Sequence, residues 1–345
     1  MATVADILSL IKSLSSTEQS QLKTALLEDS PKASKLEQLI TESRFSGGLV
    51  CPVCGCLGHI SRNGHRKDGK QRYICNDCGK TFIANTNSIT AGTRKDLDVW
   101  RKYIQCMING LTVRKTAKIC GIHRNTSFIW RHKIIDSLQK LAEPTELDGI
   151  VEADETFFLL SFKGNHKKSS SFIMPRKAHK RGKSTHVRGL SSEQVCVPCA
   201  IDREGHSVSK VATLGRVKTK DLHNVYDGKI KDSATLCTDK MNSYVRFANS
   251  NKINLVQLKS GKSKKGIYNI QRINSYHSKL KKFMRIFNGV STKYLNNYLL
   301  WNIWVNVKGG SIRDRVNNLL KASISEHIYI KCKTLSNRPI VPLLR

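Results

Sequence analysis

The sequence is short of acidic residues. Its 345 residues include 26 aspartates and glutamates against 59 lysines and arginines, which gives a formal net charge of +33. Such an excess opposes compaction through self-repulsion unless a polyanion neutralises it. Nucleic acid is the polyanion that this balance favours, because phosphate contacts supply most non-specific affinity. We therefore expect a nucleic-acid partner.

The chain also lacks a long apolar run. The longest, near Leu299–Val305, contains Asn302 and is far too short to span a bilayer. The first residues, Met1–Asp6, have neither the charged region nor the apolar core of a signal peptide. These two absences predict an intracellular protein with no membrane partner. The length allows two or three domains.

The first 45 residues carry an apolar stripe at helical spacing, from Val4 to Leu14 and again from Leu22 to Leu27. This pattern predicts a helical segment over residues 1–45 that serves docking or dimerisation. No catalytic chemistry is visible in it.

Cysteine is plentiful, with 11 residues in a chain that shows no secretory signal, so metal binding or burial is favoured over disulfides. Two Cys-x2-Cys pairs, separated by residues 55–74, supply the four thiolates of a structural zinc ion. Gly55 and Gly79 follow the pairs, where a knuckle turn needs positive φ. Residues 46–90 are thus predicted to form a zinc ribbon, a small β domain. Its predicted ligands are Cys51, Cys54, Cys75 and Cys78, with Cys56, His59 and His65 as competitors that lack the paired spacing.

Residues 91–142 have the pattern of three helices, with a turn at Gly121 before the last one. A short helix, a turn and a second helix with a basic face make a helix-turn-helix. The exposed face of the second helix would contact a major groove and its phosphates. The residues predicted to make these contacts are Arg124, Asn125, Arg131 and Lys133.

A β-branched and aromatic run, Ile150–Phe162, predicts a strand with Asp154 in its middle. A carboxylate in a core strand needs a metal ion, a cation or hydrogen bonds, whereas on an edge strand it can face solvent. Residues 163–192 then contain no acidic residue, which predicts a basic loop that orders on DNA. The cations assigned to DNA contact in this loop are Lys177, Lys180, Arg181 and Lys183.

Further carboxylate and amide side chains follow in the chain. A short buried strand is predicted to end at Asp239, so that its carboxylate can come within reach of a metal shared with Asp154. A basic helix beginning near Ile270 then places Asn274, His277 and Lys281 on one face. Such a face can complete a metal site and set a cation beside a phosphate.

In order and spacing, these features resemble insertion-sequence transposases of the DDE superfamily, which carry a zinc ribbon and a helix-turn-helix ahead of the catalytic domain. The resemblance covers about residues 45–305. The matching segments are Cys51–Cys54, Cys75–Phe82, Val113–Ala117, Glu152–Phe157, Thr238–Asp239, Asn274–His277 and Gly289–Trp301.

The resemblance implies an α/β catalytic domain over residues 148–305, with a ribonuclease-H-like mixed sheet and flanking helices, followed by a tail over residues 306–345. It implies Asp154, Asp239 and Asn274 as ligands of catalytic Mg²⁺ or Mn²⁺, in the branch with Asn or His at the third position. His277 is the rival third ligand, and Lys281 contacts a phosphate.

The family's activity is cleavage at element ends and transfer of the 3′-hydroxyl into target DNA. The resemblance therefore implies double-stranded DNA as partner, a homo-oligomer in the synaptic complex, and a cytoplasmic, nucleoid-associated protein. The alternative is an inactive, transposase-derived DNA-binding regulator. A zinc-containing ribonucleoprotein component would explain the charge, but not the spacing of the three metal-ligand positions.

Overall fold

The computed structural model describes residues 4–19, 21–22, 35–141, 146–164, 173, 191–259, 264–306, 310–325, 332–339 and 341. The chain divides into two compact units, Met1–Thr86 and Asn87–Arg345. Among the described residues, no helix combines the length and the apolar character needed to cross a bilayer.

The first unit contains two helices and one small sheet. The helices are α1 (Val4–Ser13) and α2 (Lys35–Phe45), and the antiparallel sheet has the order β1 (Ile60–His65), β2 (Gln71–Cys75), β3 (Thr81–Ile83). Tyr73 and Phe82 stack in its core, with Phe45 of α2 at their edge. The buried Arg44 guanidinium donates to the carbonyls of Ala84 and Thr86, which ties α2 to the chain after β3.

The second unit begins with the predicted three helices. They are α3 (Leu97–Ile108), α4 (Val113–Ile119) and α5 (Arg124–Leu141). Asp96 and Thr112 cap α3 and α4 by accepting backbone N–H bonds, and Gly121 adopts the positive φ that the turn before α5 requires. These local signals set the starts of α3 and α4 and the turn before α5.

A mixed sheet forms the centre of the second unit. Its order is β6-β5-β4-β8-β9, in which β5 is antiparallel to β4 and β6, whereas β8 and β9 are parallel to β4; β7 also pairs with β5. The strands are β4 (Ile150–Leu159), β5 (Gln194–Ile201), β6 (Ser207–Ser209), β7 (Thr213–Leu214), β8 (Thr235–Asp239) and β9 (Asn254–Leu258). The sheet confirms an α/β fold and excludes the edge-strand interpretation of Asp154, since β4 is central.

Helices cover both faces of this sheet. The other described helices of the second unit are α6 (Thr219–Tyr226), α7 (Asn242–Ser250), α8 (Gln271–Arg285), α9 (Leu295–Asn306), α10 (Ile312–Ser325) and α11 (Cys332–Ser336). A hairpin of β10 (Lys264–Lys265) and β11 (Tyr268–Asn269) precedes α8, and a 3₁₀ turn, Thr292–Tyr294, precedes α9. Val151 and Ala153 of β4 pack with α6 and α7. Val197 and Cys199 of β5 pack with α8 and α9 on the other face. Because side chains alternate along a strand, Asp154 shares the face that α8 covers.

Candidate active site and cysteine cluster

The sheet register brings Asp154 and Asp239 together. In the parallel pairing of β4 with β8, Glu152 lies opposite Cys237. Two residues further along both strands, Asp154 stands level with Asp239, and paired residues of parallel strands face the same side. Asp239 is the last residue of β8, so its carboxylate lies where the strand ends.

The surroundings raise the pKa of both carboxyl groups, so that ionising either of them costs free energy. Burial, with a smaller contribution from the Asp239 charge, raises the pKa of Asp154 to about 6 against the opposing effects of the Glu155 backbone and Lys281. Burial also raises the pKa of Asp239. The Oδ1 atom of Asp239 is buried and has no hydrogen-bond partner among the described residues. An unpaired buried carboxylate oxygen calls for a ligand such as a cation.

Helix α8 places His277 beside this pair. Its Nδ1 lies 3.8 Å from Oδ2 of Asp154, and its Nε2 has no partner in the described part of the chain. Burial, aided by Lys281, lowers the pKa of His277 to about 4, so the ring is neutral at physiological pH. Asn274, one turn earlier, is exposed. His277, rather than Asn274, is thus the α8 side chain nearest to Asp154 among the recorded contacts.

Glu152 fixes α8 on the sheet, a role that the sequence did not reveal. This buried carboxylate accepts the backbone N–H groups of Arg272 at 2.7 Å and Ile273 at 3.1 Å, and it pairs with Arg203 at 3.2 Å. It therefore supplies the negative charge that a helix N-terminus favours. Glu152 precedes Asp154 by two residues on the same face of β4, which positions His277 over Asp154. The signal for this role in the sequence was the spacing of Glu152 and Asp154, two residues apart on one strand.

Glu155 adds a further acidic group on the opposite face of β4. Burial, with smaller contributions from the charges of Asp154 and Asp239, raises its pKa to about 7. Nothing in the sequence singled it out. Within the described residues, these acidic and histidine side chains do not form a group of three ligand atoms all within 4.8 Å of one another, as the cysteines of the first unit do.

The cysteines converge at the two predicted knuckles. Gly55 and Gly79 have φ values of +80° and +66°, and the amides of Val53 and Cys78 donate to the sulfurs of Cys51 and Cys75. The Cys78 amide is the main cause that lowers the pKa of Cys75, to about 6, which favours a metal-binding thiolate.

Five sulfurs share this cluster, one more than a zinc ion needs. The Cys51–Cys78 and Cys54–Cys75 sulfur distances are 3.8 Å and 3.6 Å. A tetrahedron with zinc–sulfur bonds of about 2.3 Å has sulfur–sulfur edges of about 3.8 Å. The Cys56–Cys75 sulfur distance, 3.1 Å, is too short for such an edge. The sulfurs of Cys51, Cys54, Cys56 and Cys75 nevertheless all lie within 4.8 Å of one another, in a group that contains Cys56 and not Cys78. The Cys51–Cys78 and Cys54–Cys75 distances match tetrahedral edges. The two sets thus differ in Cys56 or Cys78 as the fourth ligand.

Two of the predicted DNA contacts on α5 are wrong. Arg131 is 2% exposed and donates to the carbonyl of Leu111, and Lys133 is 8% exposed and donates to the carbonyl of Ile89. Helices α9 and α10 pack against α5, whose residues 130–138 are all buried, whereas its first two residues are exposed. These two residues, Arg124 and Asn125, are exposed as predicted. The four cations predicted in the basic loop, Lys177, Lys180, Arg181 and Lys183, lie outside the described residues.

Comparisons with known proteins point to transposases. Residues 146–301 match the model of a family described as the ISXO2-like transposase domain. An uncharacterized protein in the transposable element ISH50 of Halobacterium salinarum is 24% identical over 269 residues, which cover 76% of this chain and 86% of that protein. These two matches support a transposase role for this chain.

Two solved structures also align with it, a pre-cleavage Mos1 transpososome and the Mos1 mariner paired end complex with Mn. Both are 10% identical, with TM-scores of 0.21 and 0.22; they cover 67% and 69% of this chain and 79% and 81% of the solved chains. These scores are too low to establish a shared fold.

Proposed function

We propose that this chain is a DNA transposase that cleaves DNA at the ends of an insertion sequence and joins the freed 3′-hydroxyl to target DNA. The observation that carries the proposal is the pair of half-buried carboxylates with raised pKa values, Asp154 and Asp239, on adjacent parallel strands. Three antiparallel strands followed by two parallel ones support the ribonuclease-H-like fold that the resemblance implies.

The residues at this site fit Mg²⁺ or Mn²⁺. Carboxylate and amide oxygens are the ligands that these ions prefer, and the unpaired Oδ1 of Asp239 is available to one. Divalent ions held here would lower the pKa of an attacking water or hydroxyl and neutralise the leaving oxygen. Asp154 and Asp239 would bind them, together with Asn274 or His277. Lys281, exposed on the same helix, would contact a phosphate near the scissile bond.

The amino-terminal modules supply recognition in this proposal. The zinc ribbon and the first turn of α5, with Arg124 and Asn125, would bind the terminal repeats. The basic segment 163–192 would hold flanking or target DNA. Bringing two element ends together would require a homo-oligomer.

The test is strand cleavage of DNA that carries the element's ends, in the presence of Mg²⁺. Asp154→Ala and Asp239→Ala should each reduce cleavage by about 10²–10⁴-fold, because a lost ligand removes several kcal/mol of charge stabilisation. Asp148→Ala, an exposed carboxylate just before β4, is the matched control and should cleave normally. Wild-type protein that binds the ends without cutting them would instead identify an inactive DNA-binding regulator.

The third ligand can be decided separately. Asn274 has the preferred oxygen donor, whereas Nδ1 of His277 lies 3.8 Å from Oδ2 of Asp154. We expect Asn274→Ala to weaken Mn²⁺ binding and cleavage more than His277→Ala does. An Asn274→Ala protein with wild-type Mn²⁺ affinity would assign the position to His277.

A further inference from the structure

A second candidate site, separate from the carboxylates, is a basic cleft of about 1200 Å³. Its walls come from the helix-turn-helix, from the chain that follows β4 and α8, and from the residues after α11. Among its described lining residues there is no aspartate or glutamate, while six are cationic: Arg114, Arg124, Arg131, Lys163, Lys293 and Arg338. A concave surface with one sign of charge concentrates ligands of the opposite sign.

These cations have different tasks. Arg131 donates to a backbone carbonyl, and Arg338 bonds Asp136 and Asn297, so both help to hold the cleft together. Arg114 and Arg124 are exposed and make no ion pair within the part of the chain that the structure describes. They are therefore available to phosphates at the mouth of the cleft.

The interior of the cleft is aromatic. Phe128, His132 and Tyr294 form a packed group with ring centroids 4.4–5.4 Å apart, and Phe287 and Tyr298 extend it. Arg131 lies over the ring of Phe287 at 5.6 Å. Aromatic faces bordered by guanidinium groups are the surfaces on which unpaired bases stack.

His132 points to a missing ligand. Its side chain is fully buried, yet neither ring nitrogen has a hydrogen-bond partner among the described residues. Burial, together with the charges of Arg338, Arg131 and Lys293, lowers the pKa of His132 to about 3. A neutral, unpaired imidazole can donate one hydrogen bond and accept one. The edge of a nucleobase offers both kinds of partner.

We propose that this cleft binds unpaired nucleotides of a DNA end, with their bases among the aromatic rings and their phosphates on the rim cations. Its volume is larger than the 300–1,000 Å³ of ordinary small-molecule sites, which favours several nucleotides over one free nucleotide. Arg124 stands at the cleft and also in the first turn of α5, so a duplex on the helix-turn-helix could pass a frayed strand directly into the cleft.

The cleft is joined rigidly to the carboxylate site. Beyond β4, Ser161 and Thr292 exchange hydrogen bonds of 2.8 Å and 2.9 Å, and Lys163 donates to the carbonyls of Asn288 and Gly289, just past α8. The elements that carry Asp154 and His277 thus continue into the cleft wall. From His277 to the end of α8 at Arg285 the helix rises about 12 Å. Unpaired nucleotides held here would remain near the cleavage site, so the inference deepens the proposed function and rests on it.

The experiment measures binding without cleavage. Fluorescence anisotropy of the full chain, with no added Mg²⁺ or Mn²⁺, compares a blunt duplex with the same duplex bearing a single-stranded overhang. 2-Aminopurine in the overhang reports stacking by loss of its fluorescence. We expect wild-type protein to bind the overhang probe more tightly and to quench it.

Two variants locate the effect. Phe287→Leu should weaken overhang binding about 5- to 100-fold, the range for losing one stacked base, and leave the blunt duplex unchanged. Arg114→Ala should also weaken overhang binding, whereas Lys118→Ala, an exposed cation of the same helix α4 outside the cleft, should not.

Equal binding of both probes by wild-type protein, or equal losses on both probes in Phe287→Leu, would overturn the proposal. If the overhang preference is present but cleavage is absent, the proposed function fails and the cleft inference stands. If cleavage is present without any overhang preference, the cleft inference fails and the proposed function stands.

Discussion

Replacing Asp154 with asparagine should stabilise the protein in the absence of divalent ions. The folded-state pKa of Asp154 is raised from 3.8 to about 6, chiefly by burial. A raised pKa means that the protonated form stabilises the fold. This stability is complete below pH 3.8 and is lost as the pH rises through about 6. At neutral pH the wild-type fold therefore carries an ionised carboxylate at a cost.

The size of the effect follows from the shift. About two pKa units correspond to roughly 3 kcal/mol at pH 7.5, and the same two pKa values give about 1.6 kcal/mol at pH 5. These are upper values, since the side chain is 26% exposed. For a unit of this size, 3 kcal/mol amounts to a rise of about 6–12 °C in Tm. Asparagine is nearly isosteric and carries no charge, so it should recover much of this.

Thermal unfolding followed by circular dichroism tests the prediction at both pH values, with and without Mg²⁺. We expect Asp154→Asn to melt higher than wild type without Mg²⁺, by more at pH 7.5 than at pH 5, and to gain less from Mg²⁺. Asp148→Asn is the control of opposite sign, because Lys231 and the Gly149 amide lower the pKa of that carboxyl. A variant no more stable than wild type at pH 7.5, or a gain independent of pH, would refute the reasoning.

Glu152→Gln should lower the free energy of unfolding by about 2–3 kcal/mol, since it weakens bonds to a charged acceptor, and should reduce Mn²⁺ affinity by displacing α8. Urea unfolding and calorimetric titration measure the two effects; the exposed Glu204→Gln should change neither, and an unchanged Glu152→Gln would contradict the capping role. Cys78→Ser should abolish stoichiometric zinc, as measured by atomic absorption, whereas Cys56→Ser should retain it. The opposite result would make Cys56 the fourth ligand.

Local signals predicted much of this chain. The cysteine spacing with Gly55 and Gly79 indicated both knuckle turns, and the short strand ends at Asp239 as predicted. The alternation of side chains along β4 was also sufficient to assign Asp154 to one face of the sheet. Each of these features depends on neighbours within a few residues, so the sequence contains the necessary information.

Features that depend on distant partners could not be predicted in this way. The polar sequence of α5 indicated an exposed basic face, but Arg131 is buried with its guanidinium over the distant Phe287, and Lys133 is buried where it donates to the carbonyl of Ile89. Glu152 accepts amides from residues 120 and 121 positions away. Nothing near Glu152 in the sequence shows that a helix N-terminus will arrive there. Helix periodicity finds an apolar stripe, but it cannot say how many sides of a helix will be covered.

The free-energy cost of ionising Asp154 and Asp239 bears on whether this chain is an active enzyme. Asp154 and Asp239 are half-buried with raised pKa values, and Oδ1 of Asp239 has no partner among the described residues. Most substitutions by neutral residues of similar size would relieve this cost, so a chain maintained only as a DNA-binding scaffold would gain stability by losing either carboxylate. Residues that lower stability without helping to pack the core are typical of functional sites. Their presence here, beside a helix that Glu152 holds in place, favours the metal-dependent enzyme over the inactive regulator.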